Sequence, residues 1–64
     1  MDERRFAYNE QGESEPVELS YSEIIKEYFP YWSARMKSIG KESEISEDAC
    51  VLDWCIVHCA WEIK

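Results

Sequence analysis

The sequence predicts a mostly α fold, an antiparallel helical hairpin preceded by an N-terminal arm or short β-hairpin. Three observations carry that expectation. Apolar residues recur at steps of three and four from Tyr21 to Ile39 and again from Ala49 to Ile63. A serine able to cap a helix precedes each run, Ser20 and Ser46. Only the polar link Lys41 to Ile45 separates the two, which favours helices folded back on each other.

Taken in order, residues 1–16 carry the weakest pattern. Arg5-Phe6-Ala7-Tyr8 and Pro16-Val17-Glu18-Leu19-Ser20-Tyr21 each alternate apolar and polar positions, around a polar run from Asn9 to Glu15. That pattern fits a loose β-hairpin and equally a flexible acidic arm. Pro16 suits an edge strand or linker, because it has no N–H to give a ladder.

The first helix, expected over 20–40, opens on Ser20-Tyr21-Ser22-Glu23, the spacing of a capping box. Its apolar stripe is Tyr21, Ile24, Ile25, Tyr28, Trp32, Met36 and Ile39. The stripe crosses Pro30, so the helix either kinks there or breaks, with Pro30 opening a second helix. Gly40 is a natural stop, with Lys37 and Lys41 near the negative end of the dipole.

The second helix, expected over 46–64, has Ser46 as cap and Glu47 and Asp48 in its first turn. At about 100° per residue, Cys50, Trp54, Val57 and Trp61 share one side. Leu52, Ile56, Cys59 and Ile63 share roughly the opposite side. A surface helix needs one apolar stripe. Unless the other segments sandwich the helix completely, the second face is left for a partner or a second copy of the chain.

Sixty-four residues make a single small domain, 1–64. An apolar fraction of 45% and an aromatic fraction of 14% place it with folding chains rather than disordered ones. The formal net charge is −7, from 14 acids and 7 bases. Nucleic-acid binding through phosphates needs the opposite sign, and so does adhesion to anionic membranes. No direct nucleic-acid or membrane contact is expected, whereas basic protein surfaces are attracted. Charge is also unevenly spread: residues 21–41 hold four bases and two acids, between two acidic ends. Cys50, Cys55 and Cys59 fall on one expected helix and cannot form an ordinary disulfide framework. Free thiols point to a reducing, cytoplasmic setting. The start Met-Asp-Glu-Arg-Arg lacks the apolar core of a signal peptide.

Few residues suggest chemistry. Cys55, His58, Cys59 and Glu62 would share one side of a continuous helix, and thiolate with imidazole is a zinc-type donor set. Structural zinc sites usually join two elements, and no other segment offers Cys or His. No metal and no other cofactor is therefore expected, the cysteines reading instead as small apolar residues. One histidine, no phosphate-binding glycine loop and no third residue to orient a Cys–His pair argue against an enzyme.

The aromatic run Tyr28-Phe29-Pro30-Tyr31-Trp32 cannot all face one core unless Pro30 re-aims it, which makes Phe29 or Tyr31 a contact candidate. The carboxylates fall into a series, Glu10, Glu13, Glu15, Glu18, Glu23 and Glu27, and a cluster, Glu42, Glu44, Glu47 and Asp48. Spaced carboxylates can imitate a phosphate backbone and fill a basic cleft. Small acidic phage proteins that block restriction, CRISPR or transcription machinery offer an analogy of composition, not a sequence match. A solvated acidic surface that keeps a sticky small protein soluble explains the same charge.

The expected function is therefore protein binding without catalysis. The chain reads as a small acidic inhibitor or modulator of phage or mobile-element type, occluding a basic surface of a nucleic-acid-handling complex. The residues expected at the contact are Phe29, Tyr31, Glu42, Glu44, Glu47, Asp48, Trp54 and Trp61, with only the uncovered one of the two tryptophans acting as an anchor. The alternative is a homodimeric helical subunit built on the second face of the last helix.

Overall fold

The computed structural model describes residues 3–12 and 14–64. In order come β1 (Arg5–Tyr8), β2 (Val17–Ser20), α1 (Tyr21–Ser38), a 3₁₀ turn (Glu42–Glu44), α2 (Glu47–His58) and β3 (Trp61–Ile63). Helix exceeds strand, but the three strands form one antiparallel sheet in the order β2-β1-β3, so the chain is a small α+β fold. Glu13, part of the acidic series, lies outside the described residues.

The N-terminal segment takes the hairpin alternative. Arg5 faces Ser20 and Tyr8 faces Val17 across the ladder. Residues opposite each other in an antiparallel pair share a face. Phe6 and Leu19 therefore point to the same side, with Tyr8 and Val17 beside them. Pro16 stands just before β2, an edge strand, where its missing N–H costs no ladder bond. Gly12 takes a φ of 89° in the connecting turn, a conformation glycine adopts without penalty.

Helix α1 begins at the expected capping box. Ser20 Oγ accepts from the Glu23 amide at 3.2 Å, and Glu23 Oε1 accepts from the Ser20 amide at 2.9 Å. Glu3 adds a further acceptor for the Ser22 amide at 2.8 Å and also takes the Ser22 hydroxyl. These hydrogen bonds hold both the Glu3 and Glu23 carboxyls below the usual range. The helix runs through Pro30 without a break. Gly40 closes it at φ 78°: its amide reaches the Lys37 carbonyl at 3.2 Å, and the Lys41 amide reaches that of Met36 at 2.9 Å. That pair of bonds is a Schellman motif.

The second helix is shorter than its apolar periodicity predicts. Ser46 caps it through the Ala49 amide at 3.1 Å, as expected. It stops at His58, where Cys59 turns left-handed at φ 54° and the Ala60 amide reaches the Cys55 carbonyl at 2.8 Å. The expectation of a helix over 46–64 is corrected here. Trp61, Glu62 and Ile63 pair instead with Ala7, Phe6 and Arg5, which gives central strand β1 its second neighbour. Arg4 fixes that return by clasping Glu62, at 2.9 and 3.1 Å.

Phe6, Ile24, Val51 and Trp54 form the core, joined at its edge by Tyr8, Leu19, Ile25, Tyr28 and Cys55. Both helices thus pack on the sheet face that carries Phe6 and Tyr8. Tyr21 and Tyr28 tie α1 to α2 by donating their hydroxyls to Asp48 at 2.6 Å and Asp53 at 2.8 Å. The two bonds pair residue numbers that rise together on both helices, whereas an antiparallel hairpin pairs rising with falling ones. They lend the expected hairpin no support. No helix is long and apolar enough to cross a membrane among the described residues.

Candidate binding surfaces

The acidic cluster occupies the 3₁₀ turn and the first turn of α2. Glu42, Glu44, Glu47 and Asp48 are all exposed there. The ion pairs among the described residues, Arg4–Glu62 and Arg5–Glu18, involve none of them. Asp48 is the exception to their freedom, because it accepts the Tyr21 hydroxyl. That hydrogen bond, with some desolvation, pushes the Tyr21 hydroxyl up to about 12. Tyr28 is also pushed up to about 12, chiefly by burial and then by its bond to Asp53.

The aromatic candidates divide. Trp54 is 5% exposed and belongs to the core, so it is no surface anchor. Phe29 is half-buried against the Trp32 ring, centroids 5.9 Å apart, and so is spent largely on internal packing. Tyr31 is 64% exposed on α1 and lies 6.1 Å from the Tyr28 ring. Trp61 is 45% exposed, but on β3 rather than on a helix. In register with Ala7, it shares the sheet's outer face with Arg5 and Ile63. No hydrogen bond or ion pair joins Tyr31 or Trp61 to the acidic cluster among the described residues.

A groove of about 420 Å³ opens between the end of α1 and α2. The α1 side contributes Trp32, Arg35, Met36 and Ile39, and the α2 side Ala49, Leu52, Asp53, Ile56 and Val57. Lys41 and Glu44 border it from the connecting segment. Leu52 and Ile56 are 63% and 67% exposed, so the second apolar face of α2 exists and is uncovered. Val57 belongs to it as well, although its helical phase groups it with Trp54. Ile39 joins from beyond the end of α1, a neighbour that no periodicity within one helix reveals.

The soft-ligand constellation does not assemble. Among the described residues no group of three or more Cys, His, Asp or Glu side chains converges as a metal site would require. Glu62 has moved to β3, where the Arg4 hydrogen bond holds its carboxyl below the usual range. The His58 ring stacks on Trp54 at 4.6 Å and meets Tyr8 at 4.7 Å, while its Nδ1 donates to the Trp54 carbonyl at 2.9 Å. Burial raises the Cys50 thiol to about 11 and shifts Cys55 in the same direction.

No protein-family model, curated protein sequence or solved structure matches the chain, so its function has to be read from this geometry.

Proposed function

We propose that the chain is a small acidic protein-binding modulator that docks on a basic surface of a nucleic-acid-handling complex and acts by occlusion, without catalysis. The observation that carries this reading is the open acidic cluster. Glu42, Glu44 and Glu47 project from one short stretch, and no cation of the described chain neutralises them. Unneutralised carboxylates steer a basic partner and set register with it. Tyr31 and Trp61 are the exposed aromatics able to add an anchoring contact. A phage or mobile-element origin belongs to the same proposal.

The test is capture from a cell lysate on immobilised chain, with elution in salt steps. A triple variant, Glu42→Gln, Glu44→Gln and Glu47→Gln, serves as the comparison. It leaves Asp48 in place because that carboxylate holds Tyr21. The proposal expects a basic, nucleic-acid-handling complex that is retained by the wild type, released by moderate salt and lost from the variant. Equal retention by both chains would overturn it.

A further inference from the structure

We propose that the groove between the end of α1 and α2 is filled by a second copy of this chain, giving a two-fold homodimer. The observation behind this differs from that of the acidic modulator reading, although Glu44 belongs to both: the groove is apolar at its centre and charge-balanced at its rim. Leu52, Ile56 and Val57 are each at least 60% exposed, and Ile39 is 56% exposed beside them. Apolar residues gathered in one patch mark a contact, whereas scattered ones do not.

The rim identifies the occupant. On a chain of net charge −7, the groove carries two cations, Arg35 and Lys41, and two anions, Glu44 and Asp53. A strongly basic partner would set its cations against Arg35 and Lys41. An acidic one would meet Glu44 and Asp53. A surface holding both signs is complementary to itself when they lie on opposite sides of a two-fold axis. Two-fold symmetry supplies that match, because each contact occurs twice with the roles exchanged. Arg35 stands on the α1 wall and Asp53 on the α2 wall, so a two-fold axis running along the groove brings the basic wall of each copy to the acidic wall of its mate.

The shape agrees. The Cα framework measures 38 × 32 × 15 Å, a slab of one sheet and one helix layer. Its sheet covers one side of the helices, and among the described residues no element covers the other. A second copy stacked through α2 makes a sheet–helix–helix–sheet sandwich, with both helix layers inside. An interface of ordinary size takes about 800 Å² from each partner, about one sixth of the 4897 Å² surface of this chain, so the contact has to extend from the groove along the open faces of both helices. Glu44 would enter the seam at its rim, leaving the exposed Glu42 and Glu47 of each copy displayed beside it.

Sedimentation velocity across micromolar to submillimolar concentration tests the proposal, paired with circular dichroism of each variant. Wild type should be a dimer that survives high salt, since its centre is apolar and screening relieves the repulsion between two acidic chains. Ile56→Glu should weaken the dimer by on the order of 30-fold or more, the loss expected when a central anchor is removed. Because Ile56 is 67% exposed within one chain, that variant should keep the wild-type dichroism spectrum. Trp61→Glu, on the sheet's outer face, should leave the dimer intact. A wild type that stays monomeric throughout would overturn the proposal. So would a dimer that resists Ile56→Glu or is dissociated instead by Trp61→Glu.

Discussion

Trp54 is 5% exposed among Phe6, Ile24 and Val51, with the Tyr8 ring edge-on at 5.4 Å and the His58 ring stacked at 4.6 Å. It therefore joins α2 to β1 and to α1 at once. Truncating a buried Trp to Ala costs about 3–5 kcal/mol. The two ring partners left facing a void place Trp54→Ala at the upper end of that range. A chain of this length has a total stability of about 3–10 kcal/mol, at roughly 0.05–0.15 per residue. Trp54→Ala should thus remove about half or more of that stability. Trp61→Ala removes a side chain that is 45% exposed on an edge strand and should cost no more than about 1 kcal/mol. Urea titrations followed by circular dichroism give both numbers. The packing argument is refuted if Trp54→Ala costs less than the Trp61 variant.

Other consequences are open to equally simple assays. Ser20→Ala removes the side-chain half of the capping box, the acceptor for the Glu23 amide, keeps the backbone half, and should lower stability by about 1 kcal/mol, read from the urea midpoint. Cys59→Gly should hold or raise that midpoint by up to about 1 kcal/mol, because glycine escapes the left-handed penalty while adding chain entropy; Cys59→Val should lower it. Thiol titration in native buffer should modify exposed Cys59 first, Cys55 later and Cys50 last, since burial raises the thiols of the latter two. Tyr21 and Tyr28 ionise near 12 in the folded chain against an ordinary 10, so unfolded chains lose those protons first as pH rises. Stability should be full below about pH 10 and decline toward pH 12. Tyr28→Phe should shrink that alkaline decline, and an unchanged decline would count against the burial of the Tyr28 hydroxyl and its bond to Asp53.

The parts of the fold legible in the sequence were those governed by local chemistry. Ser20 with Glu23, Ser46, and the Gly40 stop each act within a few residues, and all three sit where their spacing places them. The end of α2 was not legible. Residues 59–63 continue the apolar rhythm of the helix, and no Gly or Pro interrupts it. What ends it is the demand of β1 for a second strand, met by pairing fifty-odd residues apart along the chain. Cys59 accepts a left-handed conformation that its residue type does not advertise. The same long-range pairing moved Trp61 and Glu62 off the helix and dissolved the soft-ligand constellation. The uncovered face was half visible: Leu52 and Ile56 follow from the helical wheel, whereas Ile39 and Val57 join it only through tertiary packing.

The central claim, binding of a basic partner by the open carboxylates of Glu42, Glu44 and Glu47, is tested most directly by calorimetric titration of the captured partner at several salt concentrations. Wild type should lose affinity steeply as salt rises, and the triple Gln variant should bind more weakly with a much flatter salt dependence. Matching affinities and matching slopes for the two chains would contradict the account.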